Sequence, residues 1–597
     1  MPTPTPTASG LAQRLGDFAV LPDALDHAAR GATGLNFYAA RGSLDAVLPY
    51  AEVREAAVRL ARRLLGAGLA RGDRVGLVAA TDPDFVRAFM ACQYAGLIPA
   101  PLPLPAAFGG REAYVAHVGR LAHEARAAAV FAPAAIAAWL APLAGPSGPR
   151  LCGAVSLLDG APEHAGPLRP AGPDEIAYLQ FSSGSTRFPR GVAVRQRALM
   201  SNLAGILRHG LRVRPDDRAV SWLPLYHDMG LVGFFLAPLA GQVSLDLIAT
   251  ADFARRPLLW LQLLSDNRGT LSYGPGFGYE LCVRRARSPA GGAIGVASAG
   301  VPASLDLRAW RAAGVGGDMI RPGVLRAFAD AFAPAGFSER AFVPSYGMAE
   351  ATLAVSFAPL GAGARTDAVD LDRLERDGRA VPPGPSARAR EFVLCGPPLP
   401  GQEVEMGDEG GAALPERRVG RIRVRGPNLM DGYDGRPRDT AAALSPDGWL
   451  DTGDLGYLLD GQIVVTGRAK DLIIANGRNI WPQDLEWTVE RAVPAVRTGD
   501  VAAFSVQEDA DAESVVMLVE ARGAPDPAAR ERLAAEVAGA VRVGHGLEAR
   551  VVPVPPGSLP HTSSGKLSRA LARRQYLDGR FGPRPTPPPP ARPAAAD

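Results

Sequence analysis

Lysine is nearly missing from these 597 residues. Of the 64 basic side chains only two are lysine, Lys470 and Lys566. Drift toward GC-rich codons explains arginine wherever a surface needs only positive charge. It does not explain a position that needs a compact ammonium on a flexible stem, where the two side chains are not equivalent. The two lysines are therefore candidate functional residues before any motif is considered. Cysteine is scarce as well. Cys92, Cys152, Cys282 and Cys395 lie far apart, with no CxxC pair and no metal-ligand spacing, which argues against a disulfide framework or a structural zinc and fits a reducing cytoplasm. Charge of one sign is also lacking: 64 basic residues against 61 acidic leave a net charge of +3. No basic stripe marks a dedicated nucleic-acid binder. The one uncharged run worth checking as a membrane span, 127–145, is mostly alanine and is broken by Pro133 and Pro142. It reads as a buried strand, a turn and a short helix, not as a transmembrane segment. The first ten residues lack the basic and apolar regions of a signal peptide. The expectation is a cytoplasmic protein.

What is present is ordinary globular material: 47% hydrophobic and 21% charged residues, on a chain long enough to bury several cores. With 68 glycines and 55 prolines, much of it must be turns between short elements. The Thr/Pro start, 1–10, and the Pro-rich end, 578–597, read as disordered tails. Between them short apolar runs at 73–80, 128–132, 154–158 and 176–181 read as strands alternating with helical stretches such as 85–94. That pattern argues parallel sheets flanked by helices, an α/β fold, in a large domain over 11–468. From about residue 391 to 468 the texture changes to strands joined by glycine-rich turns, a smaller antiparallel sheet or β-barrel. A polar stretch at 356–390, with a short acidic and basic helix at 370–377, reads as an insertion. After Lys470 an α+β segment, 469–577, forms a second small domain. Its strands fall at 501–506 and 514–520, and its helix at 526–543 is ended by Gly544.

Four motifs carry chemistry. The run SSGST at 182–186 follows a buried strand, and small residues there let backbone N–H groups converge on phosphate oxygens. It is not a Walker loop. In SYGMAEA at 345–351 a strand delivers Tyr346 to a turn where an aromatic ring can stack on a base, and Glu350 follows with a carboxylate able to hold magnesium. GWLDTGD at 448–454 places Asp454 after a tight turn, where it can accept two ribose hydroxyls or simply cap the turn. PHTSSGKLS at 560–568 presents Lys566 on a Gly/Ser loop.

In this order the four resemble the motifs of the adenylate-forming enzymes, the acyl-CoA synthetases, luciferases and adenylation domains, over about residues 15–577. The resemblance implies ATP and Mg²⁺ as cofactors. It assigns Ser182, Ser183, Gly184, Ser185, Thr186 and Arg190 to the phosphates, with arginine at 190 where the family commonly has lysine. It assigns Ala299, Gly300, Tyr346, Gly347 and Met348 to the adenine, although Val301 replaces the family's usual Glu. Glu350 becomes the metal ligand, Asp454 and Arg468 the ribose ligands, Lys470 the hinge that lets a mobile C-terminal lid domain swing, and Lys566 the catalytic lysine. Within the superfamily the chain is most similar to fatty acyl-AMP ligases. PLYHDMGLVG at 224–233 resembles their histidine motif and gives His227 a gate or carboxylate-side role. YGPGFGYELC at 273–282 resembles their acyl-tunnel segment, with Gly274, Gly276, Phe277 and Gly278 leaving room for an alkyl chain. CGPPLPGQ at 395–402 and ANGRNIWPQD at 475–484 are similar too, and 356–390 falls where these ligases carry an insertion.

The activity so implied is ATP-dependent conversion of a fatty acid to acyl-AMP and pyrophosphate. Transfer of the acyl group to the phosphopantetheine of an acyl carrier protein supplied in trans would follow. The alternative is an acyl-CoA synthetase of the same fold. A non-catalytic acyl or nucleotide sensor would be expected to have lost Lys566, Glu350 or Asp454, and all three are present. Two further expectations concern surfaces. Arg569, Arg573 and Arg574 would steer the acidic carrier, and the insertion would pack on the large domain through Leu371 and Leu374.

Overall fold

The computed structural model describes residues 3–105, 110–146, 148–182, 189–287, 304–475, 477–509, 512–562 and 565–582. They separate into two compact units, one ending at Ala469 and the other beginning at Lys470.

The first unit is built on an eight-stranded sheet. Its order is Ala354–Phe357, Phe342–Gly347, Ala312–Val315, Leu271–Gly274, Arg218–Ser221, Ser244–Ile248, Gly34–Tyr38, Leu44–Pro49. The inner pairs are parallel and the outermost pair on each side is antiparallel. Parallel strands need helical crossovers on both faces, so the inner strands read as unbroken apolar runs. Ser244–Ile248 is buried at every position, its Asp246 included. Helix Gly276–Arg287 and helix Pro322–Phe332 cover one side with an aromatic cluster. In it the Trp260 ring lies 5.2 Å from Trp310, and the Tyr279 ring 5.0 Å from Phe328. A second, wholly parallel sheet takes the order Ile98–Leu102, Arg74–Val78, Ala127–Phe131, Leu151–Gly153. Three-stranded pairing joins Gly432–Tyr433, Gly191–Arg195 and Ile176–Phe181. The β-rich stretch forms a four-stranded antiparallel sheet in the order Glu403–Gly407, Gly420–Arg425, Leu450–Leu459, Gln462–Arg468. Of the two forms its turns allow, it takes the sheet.

The second unit holds the hairpin Ile473–Ala475/Arg478–Ile480 and a three-stranded sheet. In that sheet Ala512–Glu520 pairs antiparallel with Val501–Asp509 and parallel with Ala549–Val554. Helices Pro482–Ala492, Pro527–His545 and Arg569–Leu577 complete it.

Local readings fail in three places. The run at 154–158, expected as a strand, is a 3-10 turn over Val155–Leu158, and the strand is the preceding Leu151–Gly153. Leu158 is buried while Leu157 is 60% exposed. A one-sided burial at 3-10 spacing, Val155 with Leu158, is compatible with an apolar run that alternation cannot explain. The helix expected over 526–543 runs Pro527–His545 and is capped by Gly546 at φ 64°. Gly544 lies inside the helix, where its missing side chain makes room for Thr488, whose Cγ2 would lie 2.9 Å from an added Cβ. The start of the chain, expected as a free tail, is fastened from residue 5. Thr5 N donates to Asn36 Oδ1 at 2.8 Å, and Arg218 Nη1 donates to the Thr5 carbonyl at 2.8 Å. Arg218 is itself held by Asp246 at 2.7 Å through two N–H groups, with both side chains buried. Backbone polar groups of an otherwise irregular segment satisfy a buried ion pair that would be costly to leave half solvated. No helix among the described residues is long and apolar enough to cross a membrane.

Candidate nucleotide and acyl site

Strand Ile176–Phe181 leads into the SSGST run, and strand Gly191–Arg195 leads out of it. The two ends are tied together: Ser182 N donates to the Arg190 carbonyl at 2.9 Å, and Arg190 N donates to Ser182 Oγ at 3.2 Å. Ser183, Gly184, Ser185 and Thr186 lie outside the described residues, as do Ala299 and Gly300. The Arg190 guanidinium lies 3.8 Å over the Tyr433 ring, and its Nη2 donates to the Tyr433 hydroxyl at 3.0 Å. Tyr433 in turn donates to Glu350 Oε1 at 2.8 Å. A planar guanidinium can stack and hydrogen-bond at once, which an ammonium cannot do on the same ring. Burial first, and the Glu350 carboxylate second, push the Tyr433 hydroxyl pKa up, so it stays a donor.

The turn carrying Glu350 is tightly built. Strand Phe342–Gly347 ends at a glycine whose Cβ, if present, would lie 1.9 Å from the Leu353 carbonyl oxygen. Met348 N then donates to that same carbonyl at 2.7 Å. After the 3-10 turn Ala349–Ala351, Thr352 sits at φ 66°, ψ −55°, with Leu353 N donating to Ala351 O at 2.8 Å. That is a classic-sense γ-turn, which is rare and strained, and more so for a β-branched residue. The Thr352 hydroxyl holds it by donating to the Asn428 carbonyl at 2.7 Å. Strain stored beside a buried carboxylate is compatible with a site whose geometry is held by its surroundings.

Four residues before Glu350, the Tyr346 hydroxyl donates to Asp454 Oδ2 at 2.8 Å. Arg468, cross-strand partner of Asp454, brings Nε to 3.3 Å from Oδ1. The turn before Asp454 is capped by another acid, since Gly453 N donates to Asp451 Oδ1 at 2.9 Å. The capping role that sequence leaves open for Asp454 thus belongs to Asp451. Two hydrogen-bonded groups, Tyr346–Asp454–Arg468 and Glu350–Tyr433–Arg190, therefore meet on the segment 346–350.

His227 starts the short helix Asp228–Leu231, and its carbonyl accepts from Leu231 N at 2.7 Å. Its ring lies 4.8 Å from that of Tyr226, whose hydroxyl is pushed up to about 12 by burial. Gln180 Nε2 donates to the Tyr226 carbonyl at 2.7 Å, so the histidine motif is fastened to the strand that precedes the SSGST run. Gln180 and Tyr433 escape a motif reading. The available signals are a glutamine inside an otherwise apolar strand and a tyrosine between two glycines at 432–435.

At the acyl segment the structure departs from the expected open channel. A Cβ at Gly274 would lie 3.1 Å from Trp222 Cζ2, and one at Gly278 only 2.6 Å from it, whereas one at Gly276 would meet nothing within 4 Å among the described residues. The Phe277 ring meets the Trp222 indole edge-on at 5.8 Å, and Phe253 stacks on it at 3.8 Å. Two of the three glycines make room for an indole. Trp222 is 1% exposed, and its Nε1 has no hydrogen-bond acceptor among the described residues.

In the second unit, Lys470 is the first residue and lies in the 3-10 turn Ala469–Asp471. The Lys566 carbonyl accepts from Thr562 N at 2.7 Å. Arg569, expected to face a carrier, is turned inward: its side chain is 15% exposed and pairs with Glu486 and Asp471. Arg573 donates to the Ser505 carbonyl at 2.8 Å while remaining exposed. Among the described residues no three His, Cys, Asp or Glu side chains could hold a metal together. A cation at Glu350 would rely on that single carboxylate and on substrate oxygens, the usual manner of magnesium beside phosphates.

A family model for AMP-binding enzymes matches residues 31–434. A Caulobacter vibrioides protein provisionally named an acyl-CoA synthetase is 53% identical over 580 residues, covering 97% of this chain and 99% of its own. The long-chain-fatty-acid–AMP ligase FadD32 of Mycolicibacterium smegmatis is 34% identical over 558 residues, 85% of each chain. A solved structure from a study of fatty acyl-adenylate ligases of E. coli and L. pneumophila superposes with a TM-score of 0.89 at 43% identity. That likeness covers 95% of this chain and all of the other.

Proposed function

The chain belongs to the AMP-binding enzyme family, and from that premise we propose that it is a fatty acyl-AMP ligase that passes its product to an acyl carrier protein. A fatty-acid carboxylate oxygen attacks the α-phosphorus of ATP, the bond to the bridging oxygen of the β-phosphate breaks, and pyrophosphate leaves. A phosphopantetheine thiol then attacks the acyl carbonyl and AMP departs. The observation that carries this reading is the meeting of the two groups on 346–350. Asp454, held by Tyr346 and flanked by Arg468, would accept ribose hydroxyls. Glu350 is the carboxylate fit for a magnesium ion, which when bound would neutralise phosphate charge. Arg190 and Ser182 hold the two ends of the phosphate run. Lys566, on the second unit, would supply an ammonium to the charge that builds during attack. This is the positioning and charge neutralisation by which phosphoryl chemistry is usually catalysed. Lys470 would be the hinge between the two half-reactions. The segment 356–390 supports the acyl-AMP ligase in particular, since the resemblance places an insertion there.

A second reading, a fatty acyl-CoA synthetase, is favoured by the name of the 53%-identical relative. One assay separates them. The protein is incubated with ATP, laurate and either CoA or a phosphopantetheinylated carrier protein. Lauroyl transfer to the carrier with little lauroyl-CoA is expected, and rapid lauroyl-CoA formation establishes the second reading. If no carboxylic acid in a panel releases pyrophosphate, both fall.

A further inference from the structure

We propose that Arg569 is a positioning residue that fastens the Lys566 loop to the segment on which the second unit begins. The proposal rests on the reading of Lys566 as the residue that assists adenylation. Arg569 opens helix Arg569–Leu577, three residues after Lys566. Its guanidinium forks onto one carboxylate, with Nε 2.8 Å from Glu486 Oε1 and Nη2 2.6 Å from Glu486 Oε2. The remaining Nη1 reaches Asp471 Oδ2 at 3.4 Å. Asp471 directly follows Lys470, the first residue of the unit. Glu486 lies in helix Pro482–Ala492, and its Oε1 also accepts from Ala503 N at 3.0 Å in strand Val501–Asp509. Arg569 and Glu486 together thus join four elements: the opening turn, a helix, a strand and the helix that follows the loop.

The described residues flanking Lys566 are hydrogen-bonded on both sides. Thr562 N donates to the Lys566 carbonyl at 2.7 Å and Lys566 N to Thr562 Oγ1 at 3.3 Å. Ser568 N donates to the Pro560 carbonyl at 2.9 Å, and the Ser568 carbonyl accepts from Ala572 N at 2.9 Å. From Lys566 to Arg569 the backbone is held at both ends, so where Arg569 is gripped decides where Lys566 stands. In a chain with almost no lysine, finding arginine at 569 carries no weight by itself. The geometry does. The Glu486 side chain is 4% exposed and that of Asp471 12%, and a bidentate, charge-assisted pair fixes orientation as well as distance. A lysine there could meet one oxygen but could not reproduce the fork.

The test uses the full chain and two half-reactions: pyrophosphate release from ATP and laurate, and acyl transfer from supplied lauroyl-AMP. Thermal unfolding is followed alongside. Lys566→Ala sets the scale of lost adenylation. Arg569→Gln is expected to lower kcat for adenylation about tenfold to hundredfold, as small misplacements of a catalytic group do. KM for ATP and laurate should stay within about twofold, and transfer within about threefold. Arg569→Lys should fall between. Asp471→Asn, which leaves the Glu486 fork intact, should show a smaller loss of the same kind and keeps the test open if Arg569→Gln does not fold. The proposal is overturned if Arg569→Gln adenylates like wild type while Lys566→Ala is crippled. Parallel loss of both half-reactions with the unfolding temperature would mean a structural role only and overturns it too. Wild-type adenylation by Lys566→Ala would remove the reading on which it rests, and the proposal with it.

Discussion

A methyl group at residue 278 would collide with Trp222 at 2.6 Å, in a helix where alanine is otherwise favoured. Gly to Ala in a helix interior gains about 1 kcal/mol from propensity. Forcing extra volume into a packed core costs about 1–3 kcal/mol. The clash is against a ring stacked on Phe253 and wedged by Phe277, with no flexible end to give way, so packing wins. Gly278→Ala should therefore lower stability in urea unfolding, and a stabilised variant would show that the indole can move aside. A motif reading finds the glycines but not the reason for them, because the residue they accommodate is 52 and 56 positions away in sequence and belongs to another strand end.

At the scale of elements, helix Arg111–Glu124 carries His117, whose pKa burial lowers to about 4, with Arg120 acting in the same direction. The unfolded chain, with an ordinary imidazole, takes up this proton first as pH falls. Stability from this group is complete above the ordinary histidine pKa of about 6.5 and is lost as pH drops toward the folded value. Between pH 7 and 4.5 the wild-type melting temperature should fall further than that of His117→Gln, and parallel curves would refute the assignment. The insertion is a strand pair, Thr366–Asp370 with Ala389–Val393, around helix Leu371–Asp377. Its two leucines are buried, Leu374 being 0% and Leu371 7% exposed. Asp367 accepts from the Tyr457 hydroxyl at 2.7 Å and pairs with Arg417, so cutting the segment out would also orphan a buried tyrosine. Leu374→Ala is the cleaner perturbation, costing about 2–5 kcal/mol. If the ordered insertion limits the choice of acceptor, turnover with free CoA should rise in this variant. Lowered stability with flat CoA turnover would place that choice elsewhere. The helix at 371–377 was legible because Asp370 caps it and Gly378 ends it. The run at 154–158 was not, since four apolar residues fit a strand and a 3-10 turn equally well.

For the whole molecule, the boundary between Ala469 and Lys470 falls on one of the two lysines. Proline at 470 would fix φ there and restrict Ala469 as well. If the second unit reorients between half-reactions, Lys470→Pro should slow acyl transfer from supplied acyl-AMP far more than it slows pyrophosphate release. Equal loss of both would deny residue 470 a hinge role.

Much of this protein was determined by sequence alone. The alternation of apolar runs and helical stretches set the α/β architecture, and four motifs in order marked the family. Asp454 and Glu350 were identified by neighbours a few residues away, because turns and caps are decided locally. What tertiary structure decided are the partners. Tyr433 joins Glu350 and Arg190 across 83 and 243 residues. Trp222 fills the space of two glycines, Arg569 turns inward to Glu486 and Asp471, and residue 5 is fastened to a buried ion pair. A side chain's local signal says what it can bond or fill. Which distant group it meets depends on how the sheets pack, and no nearby residue encodes that.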